Sequence, residues 1–298
     1  MNPVVATDRQ LRAAIERRIV ACSDVDRAQP MHLASTYFRI RTRVLRWLTR
    51  HRRWNGDGLT VTMALALQPG DTFLDIGANV GTVTALASHL VGARGRVHSF
   101  EPSFSTVRYL RRRVSMLELH NVEVNECGLG DAAGTAELHE FDENFGGASS
   151  LRSGAWPGHQ QARKTTVVIE ALDDYLARHD VGAVRLLKAD VQGAEIEVLR
   201  GAKRLLSSSV PPALVVEVER DAQAAFGRDT EALLSTISSA GYETLSWRVD
   251  GLHEVRSDHD LPEAGHDDVI CLKPCVHDVL KGQLVALARC HPATGVSK

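Results

Sequence analysis

The sequence predicts an α/β fold: a seven-stranded, mostly parallel sheet with helices on both faces, preceded by a helical N-terminal extension. Three observations predict it. From Gly58 onward, apolar runs of strand length alternate with helical patterns, as parallel strands joined by crossover helices do. The run Thr72–Gly81, TFLDIGANVG, is apolar up to Asp75 and then breaks into Gly77, Asn79 and Gly81 before a helical pattern, which reads as a buried strand turning into a helix. A second apolar run, Arg96–Phe100, ends in Glu101, twenty residues beyond Gly81.

Residues 1–57 form the extension and residues 58–298 the main domain. Within the extension, Leu11–Ala21 reads as an amphipathic helix and Tyr37–Trp54 as a second. The second carries Arg39, Arg41, Arg43, Arg46, Arg50, Arg52 and Arg53 and no acidic residue, with Phe38, Val44, Leu45, Trp47 and Leu48 roughly on one face. It is read as a helix packed on the main domain; sharper readings are a lid, an oligomerisation element joining copies of the chain, or a dock for an anionic acceptor. The strands that follow are Thr72–Ile76, Arg96–Phe100, Val122–Glu126, Leu186–Ala189, Leu214–Val218, Tyr242–Leu245 and Val269–Leu272. The helices are Val80–Val91, Ser103–Leu119, Ala171–Arg178, Ala194–Ser207 and Thr230–Ala240. Between the third and fourth strands lies an extra strand pair, Thr135–Leu138 and Thr166–Glu170. It encloses a Gly/Ser-rich loop, Asn144–Gly158, of the kind that walls an acceptor site or closes over it.

Composition bounds the function. An apolar content of 44% over 298 residues supports a sizeable core. A net charge of −2 exerts no global pull toward nucleic acid or anionic membrane. The uncharged stretch Gly58–Gly70 is too short to span a bilayer. The N-terminus meets Asp8 and Arg9 without an apolar signal core, so a cytoplasmic protein is expected. Cys22, Cys127, Cys271, Cys275 and Cys290 are odd in number and scattered, which argues against a disulfide framework. Cys271 and Cys275 lack the second pair that a zinc site needs.

A parallel sheet binds ligands outside the carboxyl ends of its strands. Glycines at the first strand–helix turn let a nucleotide-like ligand approach the backbone. A dinucleotide fingerprint starting at Gly77 needs glycines two and five residues later, and Asn79 and Thr82 stand there instead. A ligand with ribose and adenine but no pyrophosphate fits better, and S-adenosyl-L-methionine is that ligand. Four loops are expected around it. Asp75, Gly77, Asn79 and Gly81 face the methionine part, and Glu101 takes the ribose hydroxyls. The CGLGD loop, with Gly128 and Asp131, leaves room for adenine. KADVQG, with Asp190 and Gln192, faces the activated methyl group. Methyl transfer to an alcohol needs in-line positioning and gains about 10²–10⁴-fold from a general base. Asp190, Glu217 and Glu219 are the base candidates, and Lys188 is the cation that neutralises one of them. The same carboxylates, Asp190 and Glu217, would hold Mg²⁺ if the reaction used a metal; the metal-free site is the favoured reading. His253, His259 and His266, in a polar loop, are read as solvent-facing.

The blocks DIGANVG, FEPS, GLGDAAGTAEL, ALDDYL and LLKADVQGAEIEVLRGA, in this order over roughly Gly58 to Glu219, resemble the FkbM-type methyltransferase family. The resemblance implies a class I, Rossmann-like methyltransferase that uses S-adenosylmethionine, usually on a hydroxyl oxygen of a secondary metabolite or sugar. The chain departs from the family pattern twice. Gln192 stands where the family's last block commonly has glutamate. The helix after Glu101, which usually ends with asparagine, is arginine-rich, with Arg111, Arg112 and Arg113. The resemblance does not reach residues 1–57.

The expected partner is therefore a small-molecule or glycan acceptor. Two other readings stand beside it: a nucleic-acid methyltransferase using the Arg39–Arg53 helix on phosphates, and a non-catalytic scaffold that kept a cofactor site. A near-neutral charge and the lack of an N-P-P-Y-type motif weigh against the first. The intact Asp75, Gly77, Gly81 and Glu101 set weighs against the second.

Overall fold

A computed structural model describes residues 58–141, 149–152, 161–248, 250–262 and 266–289. The arginine-rich helix and the rest of residues 1–57, most of the Gly/Ser-rich loop, Cys22 and Cys290 lie outside the described residues.

The first described element, α1 (Gly58–Ala66), is buried along its whole length. Its sequence, GLTVTMALA, is apolar all round, as a core helix is; in the sequence it marks only an uncharged stretch. Then follow β1 (Thr72–Ile76), α2 (Thr82–Val91), β2 (Arg96–Phe100), α3 (Phe104–Met116), β3 (Val122–Asn125), β4 (Gly128–Gly130), β5 (Gly134–Phe141), β6 (Ser149–Ser150), β7 (Gln161–Ala171), α4 (Leu172–Arg178), β8 (Val184–Ala189), α5 (Glu195–Arg200), α6 (Lys203–Leu206), β9 (Ala213–Glu219), α7 (Arg220–Ala225), α8 (Thr230–Ser239), β10 (Glu243–Arg248), β11 (Gly251–Glu254), β12 (His266–Leu272) and α9 (Asp278–Arg289).

The fold is Rossmann-like. The large sheet has the order β11-β10-β12-β9-β8-β1-β2-β3. Pairs among β3, β2, β1, β8 and β9 are parallel, and β12 runs antiparallel between β9 and β10. All seven expected strands are in it. The eighth is β11, a short partner of β10. Alternate strand residues feed two cores, as the pleat requires. Phe73, Val97, Leu186 and Val215 pack with α1 and with Leu284 of α9, while Leu74, Phe100, Leu187 and Val216 pack on the opposite face with Tyr175 and Leu233.

A second sheet, β4-β7-β5-β6, contains the expected strand pair as antiparallel β5 and β7. It also corrects an expectation: Gly128–Gly130 is strand β4, parallel to β7, not a loop open to a ring. The expected helix Ala194–Ser207 is two helices, α5 and α6. The break falls at Gly201, where an added Cβ would stand 2.0 Å from the Gly130 carbonyl oxygen. No helix among the described residues is long and apolar enough to cross a membrane.

Candidate active site

The strand order reverses its direction of progress between β1 and β8, so their carboxyl ends open the crevice where such sheets bind ligands. The first turn after β1 is folded over β2, since the N–H groups of Gly77 and Ala78 both donate to the Phe100 carbonyl, at 3.0 and 2.9 Å. Gly77 has φ 75°, and a Cβ on it would stand 1.8 Å from the carbonyl oxygen of Asp190. Gly81, at φ 82°, leaves room for Leu110, whose Cδ1 is 2.4 Å from the same point. The chain itself, before any ligand, demands these glycines. Asn79 occupies the left-handed region at φ 49°, which asparagine tolerates.

Glu101 sits at the end of β2, buried. Its Oε2 accepts the Asn79 N–H and its Oε1 the Ser103 N–H, both at 2.9 Å. Burial pushes its pKa up to about 7, against the two backbone bonds and the nearby Lys188 charge. Asp75 lies under the turn with no exposed surface. Thr84 Oγ1 donates to its Oδ2 at 2.6 Å, and Lys188 Nζ is 3.5 Å from Oδ1, an acceptor that has no hydrogen bond. Asp75 is thus first a support for α2 and Lys188, with Oδ1 a buried acceptor that lacks a hydrogen bond.

Lys188 is buried and donates to the Gly77 carbonyl at 2.6 Å, with Asp190 Oδ2 at 3.2 Å. Burial opposes its charge, but Asp190, Asp75 and Glu217 outweigh that and hold its pKa above the usual lysine value. Lys188, expected among the catalytic candidates as a neutralising cation, ties β8 to the glycine turn and lies beside Asp75 and Asp190. Asp190 keeps 34% of its side chain exposed, so it faces the crevice. Its carboxyl is hydrogen-bonded to that of Glu217. Gln192, left-handed at φ 56°, donates Nε2 to Asp190 Oδ1 at 2.8 Å and to Glu217 Oε2 at 2.7 Å. Burial and the Asp190 charge push Glu217 well above the usual carboxylate range. Asp190 is also desolvated, but Lys188, Glu217 and Gln192 hold it below. Desolvation thus favours the neutral form of Glu217, while Lys188 favours the ionised form of Asp190. The Gln192 N–H groups approach both carboxyls, the side a metal ion would need. Among the described residues no group of three or more His, Cys, Asp or Glu is arranged to hold a metal.

Not every expected residue joins this group. Gly128 is buried in β4, where a Cβ would stand 2.8 Å from Ile169 Cδ1 and 3.7 Å from Pro102, so it borders the Glu101 corner. Asp131 is exposed beyond β4, and the charge it acts on is Arg228; no contact joins it to Glu101. His253 pairs with Asp250 and His259 is exposed, both apart from the site. Sequence reasoning missed Glu195 and Ser150. Buried Glu195, with its pKa raised to about 7 by desolvation, accepts the N–H groups of Val191 and Gly193 and the Gln223 amide. Its signal was partial: an acid in the first turn of a helix is a helix-start pattern, but here the carboxyl binds the N–H groups of the preceding loop. Ser150 of β6 donates to the Gln192 carbonyl at 3.0 Å, and nothing local in the sequence announces that contact.

The arrangement suits a ligand carrying a ribose and an amino group: a buried carboxyl at a strand end, an open buried acceptor on Asp75, and a glycine turn between them. Beside it stands a half-open carboxyl pair able to take a proton.

The methyltransferase FkbM domain model matches residues 75–244, more than half of the chain. Among curated proteins, methyltransferase 1 of Beauveria bassiana is 26% identical over 148 residues, covering 45% of this chain and 59% of its own. The 31-O-demethyl-FK506 methyltransferase FkbM of Streptomyces tacrolimicus is 29% identical over 174 residues, covering 46% and 61%. The chain thus spans about three fifths of the length of these relatives. Among solved structures, methyltransferase FkbM from Methylobacillus flagellatus shares 15% identity and covers 87% of this chain and 60% of its own, with a TM-score of 0.42.

Proposed function

The chain belongs to the FkbM methyltransferase domain family, and from that premise we propose that it is an S-adenosylmethionine-dependent O-methyltransferase acting on a hydroxyl of a small molecule, sugar or secondary metabolite. The observation that carries the reading is the crevice between β1 and β8, with Glu101 on one side of the glycine turn and the Asp190–Glu217 pair on the other. The cofactor, when bound, supplies a methyl group on a cationic sulfur. Glu101 holds its ribose hydroxyls, the Gly77–Gly81 turn and Asp75 Oδ1 its amino-acid part. Asp190, kept ionised by Lys188, faces the acceptor. The pair accepts the hydroxyl proton as the oxygen attacks, and Gln192 keeps both carboxyls in place. The same reading puts the enzyme in the cytoplasm, where thiols such as exposed Cys275 stay reduced.

The test uses isotope-labelled S-adenosylmethionine with a panel of hydroxylated acceptors, with and without a chelator. A base predicts turnover indifferent to chelator and rising with pH as Glu217, raised by burial and the Asp190 charge, ionises. Asp190→Asn and Glu217→Gln should each lower kcat about 10²–10⁴-fold. Loss of turnover with chelator, restored by Mg²⁺, would replace the base with a metal. Full activity of both variants under either condition would remove the pair from the mechanism.

A further inference from the structure

The small sheet brings one more side chain to the crevice. Ser150 is buried, and its Oγ, which donates to the Gln192 carbonyl, also accepts the Arg152 N–H at 3.3 Å. This turn delivers Arg152 to the Asp190–Gly193 loop. Its guanidinium lies over the Phe226 ring, 5.0 Å from the centroid. Phe226 abuts the loop in turn, since a Cβ on Gly193 would stand 2.8 Å from Phe226 Cδ2. Arg228 lies over the same ring at 5.8 Å, but its charge is taken by Glu197. Arg152 is exposed, and its guanidinium has no carboxylate partner among the described residues.

That is unusual for its surroundings. Acids crowd this end of the crevice: Asp190, Glu217, Glu219 and Asp221 at the ends of β8 and β9, and Asp268 on β12. A guanidinium seated on a ring keeps N–H donors available to a further partner. Charged, exposed and without a carboxylate partner among the described residues, the guanidinium fork matches an oxyanion.

We propose that Arg152 reads an oxyanion group, carboxylate or phosphate, on the methyl acceptor. The proposal rests on the methyltransferase reading and narrows it to acidic acceptors. The acidic pair repels such a molecule and draws in its hydroxyl, while Arg152 takes the anion and Phe226 covers the apolar body between them. Two opposed anchors fix the hydroxyl in line with the methyl group, which is where positioning gains its rate.

Calorimetry on the full chain saturated with S-adenosylhomocysteine tests this, with inorganic phosphate and acetate as separate probes. Phosphate or acetate should bind in the millimolar range, more weakly as salt rises. Arg152→Gln should weaken that binding about tenfold or more, and Arg152→Lys less, because the point charge stays and the fork is lost. S-adenosylhomocysteine affinity should be unchanged in both variants, which also shows that they fold. Which probe binds more tightly assigns the acceptor's anion. Neither probe binding to the unaltered protein, or equal binding to Arg152→Gln, overturns the proposal. Failure of the unaltered protein to bind S-adenosylhomocysteine overturns instead the methyltransferase reading beneath it.

Discussion

The proposed ribose contact of Glu101 would make cofactor binding depend on pH. The Glu101 carboxyl is raised by burial from 4.5 to about 7. A carboxyl raised in the folded state contributes stability that is present below its unfolded pKa and is lost as pH rises through its folded pKa. The ligand-free protein should therefore lose stability between about pH 5 and about pH 8, and Glu101→Gln should remove part of that slope in denaturant titrations. Ribose hydroxyls donate to the ionised form, so S-adenosylhomocysteine should bind more tightly as pH rises toward about 7, with release of a proton. Glu101→Ala should weaken it about ten- to a hundredfold and flatten the pH dependence. Calorimetry in buffers of different ionisation enthalpy reads both effects, and a pH-independent affinity in the unaltered protein would place the ribose elsewhere. Glu101, Gly77 and Asp190 were legible in the sequence because acids and a glycine directly after apolar strand runs mark the carboxyl ends of a parallel sheet. Gln192 was legible as a site residue but not as the clamp on Asp190 and Glu217. Ser150 and Arg152 were not legible at all, because their meaning comes from contacts across more than forty positions of chain.

At the scale of elements, the strands of the large sheet were readable from their apolar runs, and β11 was missed because GLHE offers one apolar residue. α1 has no amphipathic period to detect. The CGLGD segment misled for a physical reason: its glycines serve close packing rather than an open pocket. Gly128 and Gly130 make room for Ile169, and the Gly130 carbonyl lies against Gly201, where α5 gives way to α6. Backbone against backbone cannot swing away as a side chain can. Gly201→Ala should therefore cost about 3 kcal/mol or more, at or beyond the top of the usual range for a methyl added to a packed core. Gly182, with nothing within 4 Å of its would-be Cβ, is the matched control, and Gly182→Ala should be neutral or stabilising by up to about 1 kcal/mol. Equal unfolding midpoints for the two variants would mean that the small sheet does not dock at Gly201.

For the whole molecule, the small sheet holds both rims of the crevice at once. On the ribose side, Glu140 of β5 accepts hydrogen bonds from Ser103 and Ser105 at the start of α3, just past Glu101. On the methyl side, Ser150 of β6 fastens the Gln192 carbonyl. The candidate cofactor ligands Asp75, Gly77, Glu101 and Asp190 all belong to strand ends of the large sheet, yet tightening them should also tighten these two latches. S-adenosylhomocysteine should then slow amide exchange in β5 and β7 as well as in the loops after β1, β2 and β8. Glu140→Ala combined with Ser150→Ala removes one latch at each rim, each a hydrogen-bond set contributing about 1–3 kcal/mol. In that variant the cofactor should still protect the large-sheet loops, while the added protection of β5 and β7 disappears. Arg152 would then lose its fixed place over Phe226, so phosphate binding should fall together with that protection. Protection of β5 and β7 that survives the double substitution, or that never appears in the unaltered protein, would mean that the two sheets respond independently and that the small sheet is a passive wall.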